Sequence, residues 1–178
     1  MQNLEFKAVL PDFQKAIAVA HAIDAEDCGI LQQVDSYFCS STGRLKLREF
    51  LNSETGAELI AYQRSDQATA RLSTYDRVEI PDPIALKRGL TATLGLRAVV
   101  RKDRHLFLWQ GVRIHIDRVT ELGDFIEFEA VLSPGDTLED AERRLKFLTE
   151  HFGITPRDIL SASYVDLISA RPKPLAGR

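Results

Sequence analysis

Basic side chains recur at every second position in several segments of this sequence. The pairs are Lys46 with Arg48, Lys102 with Arg104, and Arg113 with His115. Because residues i and i+2 of a β-strand point to the same face, each pair would place two basic groups side by side. Like charges at that spacing cost energy unless an anion lies between them. The pattern predicts a surface that binds a polyanion, although a solvent-exposed strand face would also be polar.

Acidic side chains show the same spacing elsewhere. Glu127 and Glu129 form one pair, and Glu5 stands two residues before Lys7. Carboxylates are hard oxygen ligands, which favours Mg²⁺ or Mn²⁺ over Zn²⁺. Magnesium held by a few carboxylates together with substrate phosphates is the usual arrangement for a triphosphate. The residues therefore predict a basic groove with an acidic metal corner.

The elements that must position these residues are mostly strands. Alternation of polar and apolar residues predicts eight, at about 3–10, 31–39, 44–50, 57–66, 69–79, 97–109, 111–120 and 124–132. Helices are predicted at 12–25, 82–94, 136–152 and around 163–168, with Asp12 and Asp136 as caps of the first and third. Short turns join most strands, as antiparallel neighbours require. We expect an α+β fold dominated by one sheet that closes into a barrel or splits into a sandwich.

Composition limits the classes of function. The chain has 178 residues, which fits one domain, and its net charge of −3 argues against a general binder of nucleic acid or anionic membranes. Two cysteines cannot form a disulfide framework and predict a cytoplasmic protein with reduced thiols. No glycine-rich phosphate loop or serine-hydrolase motif is present. We assign Trp109 and the nine phenylalanines to the core, and we find no motif for adenine recognition.

Taken in order, the segments resemble the CYTH family, which is named after class IV adenylyl cyclases and thiamine triphosphatase. The matching segments are Asn-Leu-Glu-Phe-Lys at 3–7, Asp-Ser-Tyr-Phe at 35–38, Leu-Lys-Leu-Arg at 45–48, Tyr-Gln-Arg at 62–64 with Arg71, Val-Arg-Lys-Asp-Arg at 100–104, 114–129, and Ser-Tyr-Val-Asp-Leu-Ile at 163–168. The resemblance covers nearly the whole chain. It implies one domain over 1–168 with a flexible tail at 169–178, and an eight-stranded closed antiparallel barrel around a polar tunnel.

The resemblance also implies site residues. The expected metal ligands for Mg²⁺ or Mn²⁺ are Glu5, Glu127, Glu129 and Asp117. The expected catalytic residues are Lys7, Lys102 and Arg104. The expected substrate-binding residues are Lys46, Arg48, Arg64, Arg71, Arg113 and His115. The substrate class that these residues imply is a small triphosphate, namely tripolyphosphate, ATP or thiamine triphosphate, bound by a protein that forms a homodimer.

Three positions depart from the family pattern. Asn3 replaces the first carboxylate of the family signature, Arg118 replaces an acidic residue, and Gln63 stands where many members have lysine. Three functions therefore stay open. The first is a triphosphatase that cleaves a phosphoanhydride, the second is an adenylate cyclase, and the third is a module that binds a polyphosphate or nucleotide without turning it over.

Overall fold

The computed structural model describes residues 2–52, 56–64, 71–132 and 135–171, with the backbone alone at positions 2, 64 and 71–73. The strands are β1 (Gln2–Val9), β2 (Glu26–Phe38), β3 (Arg44–Phe50), β4 (Ala57–Arg64), β5 (Arg71–Ile80), β6 (Leu96–Trp109), β7 (Val112–Val119) and β8 (Gly123–Val131). The helices are α1 (Phe13–Ala22), α2 (Pro83–Leu94), α3 (Leu138–His151) and α4 (Tyr164–Ser169). Most of the expected C-terminal tail, residues 172–178, lies outside the described residues. Among the described helices, none is long and apolar enough to cross a bilayer.

All strand pairs are antiparallel, and the sheet curls around a polar interior. Hydrogen-bonded neighbours follow the order β1-β5-β4-β3-β2-β6-β7-β8, and β1 also pairs with β8. The predicted α+β class with eight antiparallel strands is confirmed. Each strand turns one set of alternate side chains toward the interior and the other set outward, so the two faces of the sheet have separate chemistry.

The outward face of β1, β6, β7 and β8 carries the main hydrophobic core. Phe6 and Phe128 stack with ring centroids 5.8 Å apart, and Leu145 and Leu148 of α3 pack in the same cluster. Helix α1 covers the adjoining part through buried Ala16 and Ala20. Because the helices bury the apolar face, the charged face is left for the interior.

Several element boundaries differ from the sequence-based expectation, and two of the differences have a clear local cause. Strand β2 begins five residues earlier than predicted, because a bulge between Asp27 and Ile30 interrupts the period of two. Gly29 lies there with a φ of +81°, a conformation that glycine adopts without strain. Thr137, and not Asp136, caps α3, since its hydroxyl accepts a hydrogen bond from the Asp140 amide at 3.1 Å.

Helix α4 is fastened to the sheet at one end of the interior. Asp166 accepts hydrogen bonds from Arg44 of β3 and Arg97 of β6, each at 2.8 Å. Its carboxylate also accepts from the Ser163 amide at 3.1 Å, which caps the helix. These bonds fix the direction in which the neighbouring Tyr164 enters the interior.

Candidate active site

The inward side chains of the strands enclose one polar cavity of about 360 Å³. Strand β3 contributes Lys46 and Arg48, and β6 contributes Lys102 and Arg104. These are the pairs whose spacing predicted a shared face. The structure therefore brings four cationic side chains from two strands into one space, on either side of β2.

One aspartate organises three of these cations. Asp35 of β2 is 0% exposed and accepts two hydrogen bonds from Arg48, at 2.7 and 2.8 Å. The same carboxylate accepts from the Nζ atoms of Lys46 and Lys102, each at 3.0 Å. Burial alone would favour the neutral acid, but the three cations hold the pKa of Asp35 well below its usual value. Asp35 thus positions three positive groups with one negative charge.

A second buried cluster surrounds Arg104. Its guanidinium donates two hydrogen bonds of 2.6 Å to Asp117 and one of 2.7 Å to Glu127. The Tyr164 hydroxyl donates to Asp117 at 2.8 Å. Both oxygens of Asp117 therefore accept hydrogen bonds. Its role as a metal ligand stays a prediction, and it would require Asp117 to give up one of these bonds.

Glu127 lies between cations on the acidic side of the cavity. The Lys7 Nζ is 3.2 Å from one of its oxygens, and His115 is 3.6 Å from the other. Although burial favours the neutral acid, Lys7, His115 and Arg104 hold the pKa of Glu127 well below its usual value. The Lys7 Nζ also lies 3.5 Å from the centroid of the Tyr164 ring. Glu127 is consequently ionised and already paired.

Next to Glu127, side chains of β1, β7 and β8 form a second acidic part of the cavity. Glu5 and Glu129 are direct cross-strand partners in the register of β1 and β8. Glu129 accepts hydrogen bonds from the Asn3 amide nitrogen and from Arg113, the latter at 3.2 Å. The predicted acidic corner is therefore formed by adjacent residues of β1 and β8.

Burial changes the acidity of two lysines in the cavity. Burial and the adjacent Arg48 lower the pKa of Lys46 to about 8, against the opposing effect of Asp35. Burial, with Arg48 and Arg104 nearby, also lowers the pKa of Lys102 well below its usual value. Both lysines therefore lose their proton at a lower pH than a lysine in water does.

The structure brings ten of the predicted site residues to one cavity, and the role of each stays a prediction. The predicted residues that line the cavity are Glu5, Lys7, Lys46, Arg48, Lys102, Arg104, Arg113, His115, Glu127 and Glu129. The side chains of Arg64 and Arg71 lie outside the described part of the structure. Arg118 is exposed and pairs with Asp124 at 3.0 Å. The arginine that stands where the family pattern has an acidic residue therefore lies outside the cavity.

Several residues in or directly behind the cavity wall have no role assigned from the sequence, and three of them bear on its chemistry. The sequence shows Asp35 only as part of a motif, although an aspartate within a strand of apolar and aromatic residues is a signal of a buried ion pair. Tyr164 reaches the cavity because α4 folds back over the sheet, which no local pattern indicates. Gln33, which also lines the cavity, carries no charge and gave no signal.

The donor set suits a hard divalent cation. Asn3 is 1% exposed and its Oδ1 accepts no hydrogen bond from the described residues, so an oxygen remains available where the family signature has a carboxylate. Glu5, Glu127 and Glu129 supply further oxygens nearby. Within the described ranges, however, no three His, Cys, Asp or Glu side chains come together as a metal site. The residues fit an ion that substrate phosphates help to hold.

Comparisons with known proteins agree with this architecture. A family model described as the CYTH domain matches residues 1–164. The PH1012 protein of Pyrococcus horikoshii OT3 has a similar structure, with a TM-score of 0.81, 22% identity, and coverage of 93% of this chain and 98% of that one. An adenylate cyclase candidate from Vibrio parahaemolyticus aligns with a TM-score of 0.76 and 19% identity over 94% and 98% of the two chains.

A third similar structure is an adenylyl cyclase candidate from Hippeastrum with a dominant triphosphatase activity. It aligns with a TM-score of 0.66 and 15% identity over 99% of both chains. A search of curated proteins by sequence finds no match. Because the family model covers most of the chain, this protein belongs to the CYTH domain family.

Proposed function

We propose that this protein is an enzyme that binds a triphosphate inside a closed eight-stranded barrel and cleaves one of its phosphoanhydride bonds. The observation that carries the proposal is the convergence of five cationic side chains on one cavity, namely Lys7, Lys46, Arg48, Lys102 and Arg104. A cavity lined this way suits a compact polyanion, since each phosphate oxygen can meet a positive group.

The carboxylates explain how the cations stay in place without substrate. Asp35 and Asp117 each bind cations and are fully buried, whereas Glu127 is partly accessible from the cavity. A bound triphosphate would compete with Glu127 for Lys7 and Arg104. Binding would thereby release a carboxylate next to the phosphates, where a divalent cation is needed.

Glu5, Glu127, Glu129 and the Asn3 Oδ1 are the groups that would hold Mg²⁺ or Mn²⁺. Such a cation, when bound, would neutralise part of the charge on the phosphate oxygens. In the proposal, Arg48 and Arg104 orient the phosphate chain. The Lys102 Nζ, which Asp35 holds at 3.0 Å, stabilises the negative charge that develops on the departing phosphate oxygen.

Hydrolysis is the first reaction to test, because the similar Hippeastrum structure has a dominant triphosphatase activity. Cyclisation of ATP is the alternative, since that structure and the Vibrio parahaemolyticus one are also cyclase candidates. A cytoplasmic location is part of the proposal, and Cys28 and Cys39 are both free, as is usual in reducing compartments.

Phosphorus NMR of the purified protein with tripolyphosphate or ATP, each with Mg²⁺ and then Mn²⁺, tests the proposed reaction. Orthophosphate release from either compound is the expected result. Pyrophosphate together with a cyclic nucleotide from ATP would instead establish the cyclase. Binding of both compounds with no products would favour the non-catalytic binding module, for which Asn3 is the motivating residue.

Restoring the family's first carboxylate tests the importance of Asn3. We expect Asn3→Asp to tighten Mn²⁺ binding in the presence of tripolyphosphate by about tenfold, because a charged oxygen replaces a neutral one. Calorimetric titration with Mn²⁺ measures the change, and Asn52→Asp, in an exposed loop, is the matched control. Equal Mn²⁺ affinities in Asn3→Asp and wild type would remove Asn3 from the metal site.

The lowered pKa of Lys46 predicts a pH dependence of binding. A bound triphosphate stabilises the charged lysine, so its pKa in the complex is higher than the value of about 8 in the free protein. Affinity is therefore full below about pH 8 and falls by up to about tenfold per unit as the pH rises further. Calorimetric titration with tripolyphosphate at about pH 7 and about pH 9 measures this loss.

Lys46→Arg is the control for this pH dependence, because arginine stays charged across the range. The variant should show a smaller loss of affinity between the two pH values. An equal loss in the variant and the wild type would mean that another group titrates.

A further inference from the structure

Helix α4 places one aromatic ring among the cations of the cavity. Tyr164 is the first residue of α4 and is 4% exposed. The Nζ atom of Lys7 lies 3.5 Å from the centroid of its ring, and the Nζ atom of Lys102 lies 5.7 Å from it. The face of an aromatic ring carries partial negative charge and attracts a cation at such distances. The ring therefore attracts two lysines of the cavity without carrying a formal charge.

The hydroxyl of the same tyrosine acts on a third cation through an aspartate. It donates a hydrogen bond to Oδ2 of Asp117 at 2.8 Å, and that oxygen also accepts from the Arg104 guanidinium at 2.6 Å. Asp117 is 0% exposed. Hydrogen bonds from supporting residues restrict the conformations of a functional side chain. The hydroxyl thus fixes the orientation of the carboxylate and, through it, that of Arg104.

Contacts outside the cavity fix the tyrosine in turn. The Phe125 ring meets the Tyr164 ring edge-on, with centroids 5.1 Å apart. Two residues further along α4, Asp166 accepts the hydrogen bonds of Arg44 and Arg97. A helix of six residues is not stable by itself, so these contacts determine where α4 lies. Tyr164 is therefore a fixed part of the cavity wall.

Lys7 has two partners that differ in how they would respond to a bound phosphate. A carboxylate oxygen of Glu127 lies 3.2 Å from its Nζ atom, on which the Tyr164 ring also acts. The carboxylate uses the same N–H donors that a phosphate needs, and it repels a phosphate. The ring acts through its face, so the ammonium group keeps donors for a phosphate. A triphosphate would therefore displace Glu127 from Lys7 and leave Tyr164 in place.

We infer that Tyr164 is a positioning residue of the triphosphate site. Its ring keeps Lys7 directed into the cavity after the phosphates have displaced Glu127, and its hydroxyl keeps Asp117 aligned with Arg104. This inference rests on the proposed function, because Tyr164 acts on the triphosphate only through other side chains of the same cavity.

Carbon-13 NMR of the wild type with labelled lysine tests the ring contact. Hydrogens above the face of an aromatic ring resonate upfield, and Lys7→Met identifies the Lys7 signal by its loss. We expect an upfield-shifted ε-methylene signal of Lys7 that persists when tripolyphosphate is added without divalent cation. A signal at the ordinary lysine position, in the free or the bound protein, would overturn the inference, because the ring would then not hold Lys7.

Two substitutions separate the ring from the hydroxyl, and calorimetric titration with tripolyphosphate measures their effects. Tyr164→Phe removes only the hydroxyl and should weaken binding by about threefold, because Arg104 becomes less fixed. Tyr164→Leu also removes the ring and should weaken binding by about a further tenfold. When Lys7→Met is introduced as well, the two Tyr164 variants should bind equally, since the cation that the ring holds is gone.

Val165→Ala is the matched control. Val165 follows Tyr164 on α4 and is 0% exposed in an apolar cluster, so the change loosens the packing of α4 and leaves the contacts to the cations. It should bind tripolyphosphate with the affinity of the wild type.

A ring effect of equal size with and without Lys7 would overturn the inference, because the role of Tyr164 would then be structural only. Wild-type affinity in both Tyr164 variants would also overturn it, while leaving the triphosphate site intact. If the wild type binds no tripolyphosphate, the proposed function itself fails and the inference fails with it. If Tyr164→Leu does not fold, the NMR measurement on the wild type decides.

Discussion

Replacing Glu127 and Glu129 together by glutamine is expected to lower metal-dependent turnover by about a thousandfold or more while leaving the protein folded. Glutamine keeps the size of the side chain but removes the charge that a hard cation requires. The loss of one well-placed electrostatic group commonly costs about a hundredfold to a thousandfold in rate, and here two are lost at neighbouring positions. Phosphorus NMR measures turnover, and circular dichroism checks the fold.

The control for this double variant is a second pair of glutamates outside the cavity. Glu49 pairs with Lys87 of α2, and Glu150 pairs with Lys146 within α3. Glu49→Gln with Glu150→Gln should turn over substrate at the wild-type rate. Wild-type turnover in the Glu127 and Glu129 variant would remove both residues from the metal site.

Asp35→Asn is expected to lower the free energy of unfolding by about 3–5 kcal/mol, the usual cost of removing one partner from a buried ion pair. Lys46 and Lys102 can respond by losing a proton, but Arg48 cannot. Urea denaturation at neutral pH measures the loss. Saturating tripolyphosphate should restore part of it, because the ligand binds only the folded protein and supplies the missing negative charge.

Asp124→Asn provides the comparison for this effect. Asp124 pairs with the exposed Arg118, and surface ion pairs contribute little to stability. If Asp35→Asn destabilises the protein no more than Asp124→Asn does, then Asp35 does not hold the cations. Destabilisation without any recovery in tripolyphosphate would instead place the triphosphate away from Lys46, Arg48 and Lys102.

Periodicity was sufficient to predict the elements because it is a local property. The period of two in 44–50 gave β3 with its observed bounds, and the helix at Pro83–Leu94 follows the cap that Asp82 provides. The predicted basic pairs share a face because side-chain direction alternates along any strand. The bulge at Asp27 to Ile30 is where this reasoning failed for a strand, since an extra residue shifts the alternation.

Which charged side chains pair with one another in the cavity depends on which strands become neighbours, and the sequence does not determine that order. Lys46 and Lys102 meet at Asp35 because β2 lies between β3 and β6, although 56 positions separate the two lysines. Tyr164 reaches Asp117 only because Asp166 fastens α4 to Arg44 and Arg97. The charged residues of the site could therefore be named in advance, but their pairing could not.

Calorimetric titration of tripolyphosphate into the wild type and into Arg48→Ala tests the central claim most directly. The cationic cavity predicts one-to-one binding in the wild type. Arg48→Ala should weaken it by about 1.5–3 kcal/mol, the usual worth of a hydrogen bond to a charged group. No binding by the wild type, or an equal affinity in both proteins, would contradict the assignment of this cavity as a triphosphate site.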